Sequence, residues 1–243
     1  MKKLLLATAL AALGTAGLAQ EVVRIGTEGA YEPYNYIDQA SGELVGFEVD
    51  LGKELCARAE LTCEFVQNEW DSIIPNLQSG NYDIIMAGMS ITEERQQVID
   101  FTENYTPPSQ SAYMALAADA NIGDGAIIAA QVSTMQAGYI AEQEGVTMLE
   151  YATPDETVAA VRNGEADAVF ADKDYLAPIA ADSNGELVML DADVALGGGI
   201  GGGMRKSDAE LRAKFDAAIL SMKEDGTLNA LIVQWFGEEA DLF

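Results

Sequence analysis

Segments typical of strands alternate with segments typical of helices from residue 22 onward, and this alternation constrains the fold more than any other feature. Apolar strand-like runs lie at 22–26, 63–66 and 82–86, and helix-like runs lie between them at 46–59 and 71–78. Such alternation is typical of parallel sheets, because a crossover helix returns the chain to the same end of the sheet. The sequence therefore predicts an α/β fold.

A second set of alternating segments follows later in the chain. Strand-like runs lie at 126–130, 148–151 and 168–171, and helix-like runs lie at 135–142 and 154–162. We therefore expect two α/β lobes, each a mostly parallel sheet flanked by helices.

A weak internal repeat relates the two sets. LQSGNYDIIMAG at 77–88 aligns with VRNGEADAVFAD at 161–172, so that Gly88 and Asp172 are equivalent. Both residues follow a predicted parallel strand, at the carboxyl end where open α/β sheets bind ligands. The two positions are therefore candidates for a binding site.

The chain is expected to cross between the lobes twice, near 106–109 and at the glycine-rich run 197–203. Lobe 1 would comprise 20–108 and 204–243, and lobe 2 would comprise 109–203. Two such crossings form a hinge. The glycine run lacks the pattern of a phosphate-binding loop, so we interpret it as flexible or tightly turned hinge backbone.

Residues 1–19 have the charged start, short apolar middle and small-residue flank of a cleaved secretory signal. The apolar run is too short to span a bilayer. We therefore expect a mature chain that begins at Gln20 or Glu21 and is exported to the periplasm.

Acidic side chains greatly outnumber basic ones. Removing the signal segment leaves 11 basic and 40 acidic side chains, a net charge of −29. This charge excludes nucleic acid as a natural partner, and its main effect is a soluble, acidic surface.

Cys56 and Cys63 are the two cysteines of the sequence, and histidine is absent. An even pair in an exported chain favours a structural disulfide, and a metal or redox pair fails because neither a C-x-x-C spacing nor a partner histidine is present. The absence of histidine excludes Ser/His/Asp and Cys/His catalysis and typical zinc sites. Asp191 and Asp193 lack the spacing of a calcium loop, so we expect no metal and no cofactor.

One arginine stands at an unfavourable place in the stretch MAGMSITEER at 86–95. Thr92 is expected to cap a helix with Glu93 and Glu94 in its first turn, where the helix dipole disfavours Arg95 by roughly 0.3–1 kcal/mol. A bound anion would offset that cost, and a guanidinium matches a carboxylate with two parallel hydrogen bonds. Arg95 is therefore a candidate carboxylate ligand, and the alternative is a surface ion pair with a nearby glutamate.

Seven segments carry a resemblance to a known family: VRIGTEGAYEPYNY (23–36), GFEVDLGKELCARAELTCEFV (46–66), WDSIIPNLQSGNYDIIMAGMSITEER (70–95), STMQAGYI (133–140), NGEADAVFADKDYL (163–176), GMRKSD (203–208) and EDGTLNALIVQWFG (224–237). Together they resemble the extracellular solute-binding proteins of family 3, which deliver polar amino acids to ABC importers. They are similar in particular to the lysine/arginine/ornithine-binding branch, including its disulfide. The resemblance implies a two-lobed periplasmic-binding-protein fold of type II that closes by hinge rotation.

The resemblance also implies roles for individual residues. Arg95 would hold the α-carboxylate of an amino acid, and Ser90, which begins the same S-I-T-x-x-R motif, would join the binding residues. Asp172 would take the α-ammonium group, although it could instead cap a helix. Thr134 and Gln136 would add donors near the carboxylate and the pocket rim, or could be ordinary cap and surface residues.

Three further residues would surround the ligand side chain. Tyr31 and Trp70 would form aromatic walls, over which a cation gains about 0.5–2 kcal/mol. Glu28 would meet a distal cation. The alternatives are core packing for the two aromatic residues and simple surface exposure for Glu28.

The charges of these residues select a class of ligand. Arg95 contributes +1, and Asp172 and Glu28 contribute −1 each, so the pocket carries −1. Arginine, ornithine and lysine cancel that charge, whereas an acidic amino acid would leave desolvated charges unpaired.

The sequence departs from the family pattern at three positions. Ala87 and Gly88 stand where relatives commonly place hydroxyl residues that bond the ligand, and Ser133 stands where glycine is usual. Gly88 is expected to leave space beside the α-amino group, which would admit an N-substituted amino acid such as an opine. An opine-like or neutral polar amino acid is therefore the alternative ligand.

The remaining expectations concern partners and activity. The chain would present its ligand to an ABC permease of the inner membrane as a monomer, or would serve a sensory receptor. Dehydratases occur on the same fold, but prephenate carries two carboxylates and needs a second cation that this pocket lacks. We therefore expect a binding protein and not an enzyme.

Overall fold

The computed structural model describes residues 22–243, so the expected signal segment lies outside the described residues. The strands are β1 (Val23–Thr27), β2 (Ala30–Tyr31), β3 (Asn35–Ile37), β4 (Leu44–Val45), β5 (Cys63–Gln67), β6 (Ile84–Ile85), β7 (Asp100–Asn104), β8 (Gln110–Ala115), β9 (Ile127–Gln131), β10 (Thr147–Tyr151), β11 (Ala168–Asp172), β12 (Val188–Met189), β13 (Val194–Ala195) and β14 (Gly201–Met204). The helices are α1 (Phe47–Arg58), α2 (Ile73–Gln78), α3 (Glu93–Val98), α4 (Met135–Ala141), α5 (Pro154–Arg162), α6 (Lys173–Asp182), α7 (Ala209–Glu224) and α8 (Thr227–Phe236), and a 3₁₀ turn spans Trp70–Ser72.

Two principal sheets organise the chain, which confirms the two-lobed α/β fold. The first sheet has the order β5-β1-β6-β14-β7, and the second has the order β10-β9-β11-β8-β12, with β13 also paired to β8. The first three strands of each sheet are parallel, and the remaining strands run antiparallel to their neighbours. The short strands β2, β3 and β4 form a third, separate sheet.

The internal repeat is visible as one local arrangement that occurs in both sheets. The carboxylate of Asp83, just before β6, accepts a hydrogen bond from the backbone N–H of Arg24 in β1 at 3.0 Å. The carboxylate of Asp167, just before β11, accepts one from the backbone N–H of Ile127 in β9 at 2.8 Å. The two halves therefore place equivalent residues at equivalent ends of their sheets.

The chain passes between the sheets along 105–109 and again along 196–200, before it enters β14. The glycine-rich run is therefore only partly a crossing, because its last three glycines belong to a buried strand. Small residues are required there, since a Cβ atom on Gly202 would lie 2.6 Å from Cδ1 of Ile84. The run differs from the expected hinge segment for this steric reason, and the lobe boundaries remain a prediction.

The helix pair of the carboxyl-terminal region packs beside α1. Gly226, with φ of 80°, separates α7 from α8. Arg58 of α1 bonds Asp225 at 2.7 Å and Thr227 at 3.0 Å, which ties the three helices together. The predicted disulfide between Cys56 and Cys63 is present, with a Cα–Cα distance of 6.2 Å, and joins α1 to β5. Within residues 22–243, every helix is too short or too polar to span a bilayer.

Candidate functional site

A cavity lies where the carboxyl ends of parallel strands from both sheets meet. Its lining residues are Glu28, Tyr31, Trp70, Ala87, Gly88, Arg95, Gln131, Thr134 and Asp172. Glu28 follows β1, Gln131 ends β9 and Asp172 ends β11. The parallel order of the central strands therefore brings together side chains that are far apart in sequence. Eight of the ten predicted site residues line this cavity, and Ser90 and Gln136 do not.

Arg95 is held in the cavity wall by hydrogen bonds and by one aromatic ring. Thr92 caps α3, as predicted, by accepting the backbone N–H of Arg95 at 3.2 Å. The guanidinium donates to the carbonyl oxygens of Ser90 at 2.8 Å and Ser133 at 3.2 Å. Its Cζ atom lies 5.2 Å from the centroid of the Trp70 ring. The orientation of the guanidinium is therefore set before any ligand arrives.

The charge of Arg95 has no carboxylate partner. The residue is 9% exposed and forms no ion pair within residues 22–243. The structure therefore contradicts the alternative of a surface ion pair. Burial lowers the pKa of Arg95 to about 10, against the opposing effect of the charges on Asp172 and Glu94. A buried cation without a counter-charge is costly, and a bound anion would remove that cost.

Asp172 places a buried carboxylate on the cavity from the second sheet. It accepts hydrogen bonds from the hydroxyl of Tyr31 at 2.6 Å and from Nε2 of Gln136 at 2.8 Å. Burial raises its pKa to about 6, although the bond from Tyr31 and the charge of Arg95 act in the other direction. Asp172 makes no side-chain cap bond at the start of α6, so helix capping does not explain it.

Glu28 supplies the second carboxylate of the cavity. It is partly buried and accepts a hydrogen bond from Nε2 of Gln131 at 2.7 Å. Burial raises the pKa of Glu28 to about 7, the bond from Gln131 lowers it, and the nearby charge of Asp155 raises it further. Like Asp172, Glu28 forms no ion pair in the described chain.

Gln131 is a cavity residue that the sequence analysis missed. It is 8% exposed, and its amide nitrogen donates both to Glu28 and to the carbonyl oxygen of Ala152 at 3.1 Å. Its place at the end of a predicted parallel strand was the available signal, because Asp172 was selected for the same reason.

Ser133 contributes its backbone and not its side chain. Its φ of 58° lies in the left-handed region, which glycine adopts without the strain that a Cβ atom causes. In that conformation the carbonyl oxygen of Ser133 accepts a hydrogen bond from the guanidinium of Arg95. The bond joins opposite walls of the cavity, because Arg95 lies beside the first sheet and Ser133 beside the second.

Thr134 and Ser90 differ in how they meet the cavity. Thr134 lines it and caps α4: its hydroxyl accepts the N–H of Ala137 at 3.1 Å and donates to the carbonyl oxygen of Gln131 at 2.7 Å. Ser90 meets the site through its carbonyl oxygen, which accepts from Arg95. Both residues therefore shape the wall mainly through backbone and cap bonds.

Gln136 acts on the site from behind Asp172. It is 4% exposed, and its amide nitrogen bonds both Asp172 and the hydroxyl of Ser111 at 3.0 Å. It thereby orients the carboxylate that lines the cavity.

The expected open space beside Gly88 is absent. A Cβ atom on Gly88 would lie 3.0 Å from Cδ1 of Tyr31, and the φ of Gly88 is 63°. The Tyr31 ring stacks on Tyr175 with centroids 4.5 Å apart, which keeps it beside Gly88. An aromatic side chain therefore fills the space that the missing side chain of Gly88 leaves, and room for an N-substituent elsewhere beside the α-amino group stays a prediction. Ala87 adds only an apolar surface to the same wall.

A second, larger cavity adjoins the first, and Glu28 and Trp70 line both. Its further lining residues are Ala30, Gln67, Asn68, Glu69, Asp71, Ala152 and Thr153. We call the first cavity the inner cavity and the second the outer cavity. The inner cavity therefore borders the outer cavity at Glu28, and not the packed core.

A model of bacterial extracellular solute-binding proteins, family 3, matches residues 23–238. The crystal structure of a periplasmic His/Glu/Gln/Arg/opine family-binding protein from Silicibacter pomeroyi in complex with lysine is 65% identical, with a TM-score of 0.88, over 91% of this chain and 100% of that chain.

Two relatives extend the comparison at lower identity. The octopine-binding periplasmic protein of Rhizobium meliloti and the lysine/arginine/ornithine-binding periplasmic protein of Escherichia coli (strain K12) are each 31% identical, over 97% of this chain and 97% of the relative. Since the family model and these matches span almost all of the described chain, this protein belongs to the bacterial extracellular solute-binding proteins, family 3.

Proposed function

We propose that this protein binds a cationic amino acid, namely arginine, lysine or ornithine, in the inner cavity and presents it to the permease of an ABC importer in the inner membrane. One observation carries the proposal: a buried guanidinium, a buried carboxylate and a partly buried carboxylate line a single small cavity, and none of the three has an ion-pair partner among the described residues. Their sum is −1, so a ligand with one carboxylate and two cationic groups neutralises the site.

The positions of the charges orient the ligand. The α-carboxylate lies at Arg95, and the α-ammonium group lies at Asp172, whose two oxygens keep free lone pairs after the bonds from Tyr31 and Gln136. The side chain then extends toward Glu28 and Trp70, where its distal cation meets the Glu28 carboxylate. Arginine differs from a neutral amino acid of the same length mainly at that last contact.

The relatives support this class of ligand. The Silicibacter pomeroyi structure holds lysine at 65% identity, and the Escherichia coli relative is a lysine/arginine/ornithine-binding protein. The relatives are also named as periplasmic, which supports export of this chain to the same compartment. We accordingly extend the proposal to lobes at 20–108 with 204–243 and at 109–203, which rotate about the two crossings.

The opine alternative rests on the relative of Rhizobium meliloti, which is named for octopine. Octopine carries its extra group on the α-nitrogen, and the Tyr31 ring occupies the space next to Gly88 on that side of the cavity. The unsubstituted basic amino acids therefore fit this cavity better.

The proposal is tested by calorimetric titration of the mature chain with arginine, lysine, ornithine, citrulline, glutamine, glutamate and octopine. Citrulline is the decisive comparison, because it has nearly the shape of arginine without the distal charge. We expect at least tenfold tighter binding of arginine than of citrulline. Equal affinity for the two, or preferred binding of glutamate, would contradict the assignment of a cationic ligand.

A further inference from the structure

Glu48 is a buried carboxylate that lies outside the cavity lining. It is the second residue of α1, and its side chain is 0% exposed. It forms no ion pair within residues 22–243, so its charge is supported by hydrogen bonds alone. Keeping such a group buried is costly unless its acceptor sites are filled.

Three neutral donors from three separate segments fill those sites. The backbone N–H of Gly88 donates to both carboxylate oxygens, at 2.8 and 2.9 Å. Nδ2 of Asn35 donates to Oε2 at 2.7 Å, and the hydroxyl of Tyr105 donates to Oε1. The carboxylate therefore joins parts of the chain that otherwise belong to different elements.

Two of these donors connect the binding cavity with the hinge. Gly88 lines the cavity. Tyr105 is the first residue of the first crossing, and its backbone N–H donates at 2.8 Å to the carbonyl oxygen of Ile200 on the second crossing. Through Glu48, the cavity wall and both crossings share one hydrogen-bonded unit.

The third donor extends the same unit to the other side of the cavity. Oδ1 of Asn35 accepts the backbone N–H of Gly29 at 2.8 Å, and Gly29 directly follows the cavity residue Glu28. The amide of Asn35 is thereby fixed in orientation, with its nitrogen toward Glu48 and its oxygen toward Gly29. The backbone next to Glu28 and the backbone at Gly88 are held at a set separation.

We propose that Glu48 is a positioning residue that couples the geometry of the amino-acid cavity to the hinge crossings. It acts through Gly88 and Tyr105 and touches no ligand. The inference rests on the proposed function only in that the ligand used to measure the coupling is arginine.

The substitution Glu48→Gln separates this role from simple core packing, because it keeps the shape and replaces one acceptor by a donor. If the new NH₂ group faces Asn35, two donors meet, since the Asn35 oxygen is already engaged with Gly29. If it faces Tyr105, the hydroxyl accepts from it and its own proton loses its acceptor. Either orientation therefore breaks one arm of the unit at nearly constant volume.

The experiment measures arginine affinity, thermal midpoint and backbone hydrogen exchange of the mature chain for Glu48→Gln and Tyr105→Phe. We expect Glu48→Gln to raise the Kd for arginine about tenfold or more and Tyr105→Phe to raise it less. The double variant should raise it by less than the product of the two effects, because both changes break the same contact. Exchange should accelerate together in the peptides that contain 86–90 and 105–109.

Leu187→Ala is the matched control, since Leu187 is buried in the core and belongs to none of these hydrogen bonds. It should lower the thermal midpoint while the Kd stays within twofold of the unsubstituted chain. The proposal is overturned if Glu48→Gln behaves like this control, with a lower midpoint and an unchanged Kd. Should Glu48→Gln fail to fold, an unchanged Kd and unchanged exchange in Tyr105→Phe would overturn it as well.

The exchange readout needs no ligand, so it distinguishes the two proposals. Coupled acceleration at 86–90 and 105–109 in a chain that binds no basic amino acid would sink the proposed function and leave the role of Glu48 intact. Tight arginine binding with unchanged exchange in both variants would overturn the role of Glu48 and leave the proposed function intact.

Discussion

Arg95 of α3 and Asp172 at the end of β11 line the same cavity, and within residues 22–243 neither of these buried side chains forms an ion pair. Burial moves the pKa of Arg95 down and that of Asp172 up, so both charged forms are held at a cost. The carboxylate of an α-amino acid would pair with Arg95, and its ammonium group would pair with Asp172. The site is thus complementary to a zwitterion before the ligand arrives.

Replacing Arg95 by alanine should separate affinity from stability. The variant leaves the ligand carboxylate buried without a partner, so binding of arginine should weaken by roughly 2–5 kcal/mol, which is about thirtyfold or more in Kd. The ligand-free chain loses an unpaired buried charge, so its thermal midpoint should stay constant or rise. Calorimetric titration and thermal unfolding measure the two effects. Arg162→Ala, at an exposed ion pair with Glu186, is the control and should leave the Kd unchanged.

Affinity for arginine should depend on pH through the two cavity carboxylates. Glu28 has a pKa of about 7 and Asp172 one of about 6, so both are ionised only above these values. A cationic ligand pairs with the ionised forms, so affinity should be full above pH 7. It should fall by up to about tenfold for each unit between pH 7 and 6, and more steeply below pH 6. Titration in two buffers of different ionisation enthalpy should detect proton release near pH 6.5. In Glu28→Gln the decline should begin only near pH 6.

Stability of the ligand-free chain should show the opposite trend. The pKa of Glu28 is raised from 4.5 to about 7 in the folded state, so between these values the folded chain binds more protons than the unfolded chain. The contribution of Glu28 to the free energy of unfolding therefore falls as pH rises through this window. Urea unfolding at pH 5.0 and pH 7.5 should show a smaller difference in Glu28→Gln than in the unsubstituted chain. An identical pH difference in both chains would contradict the raised pKa.

Gln131 should control discrimination between charged and neutral side chains. Its amide holds the Glu28 carboxylate and is itself anchored to the carbonyl oxygen of Ala152. Gln131→Leu frees Glu28 to turn toward solvent, so the preference for arginine over citrulline should shrink by about tenfold, while citrulline affinity changes little. Gln143→Leu, at a glutamine outside the cavity, provides the comparison and should keep the preference.

The two ends of the cavity should tolerate ligand substituents differently. The Tyr31 ring fills the space beside Gly88, whereas the Glu28 side adjoins the larger outer cavity. Nω-methylarginine should bind within about threefold of arginine. Nα-methylarginine, with the same formula and charge, should bind at least tenfold more weakly. Equal affinities would show that the Tyr31 ring moves aside at small cost.

The sequence alone determined the fold class, the disulfide and most of the cavity. Local signals sufficed for two helices: α1 and the capped start of α3 at Thr92 lie where they were expected. The internal repeat placed Gly88 and Asp172 together because each half of the chain obeys the same parallel-strand geometry.

Other elements escaped prediction because their signals are not local. The residues of β14 were predicted to be hinge backbone, because a run of glycines is typical of turns. In the structure glycine is needed there because the side chain of Ile84 packs against the backbone of Gly202. Helix α6 was also not predicted. It starts directly at the end of β11, without an intervening loop, and it contains Pro178.

The tertiary structure decided what a one-dimensional pattern cannot contain, namely which groups lack partners. Within residues 22–243 Arg95 forms no ion pair, Gln131 bonds Glu28, and Tyr31 fills the space at Gly88. Each of these is a relation between residues far apart in the chain. The energy of a buried charge depends on every group around it, and those neighbours are assembled only when the two sheets meet.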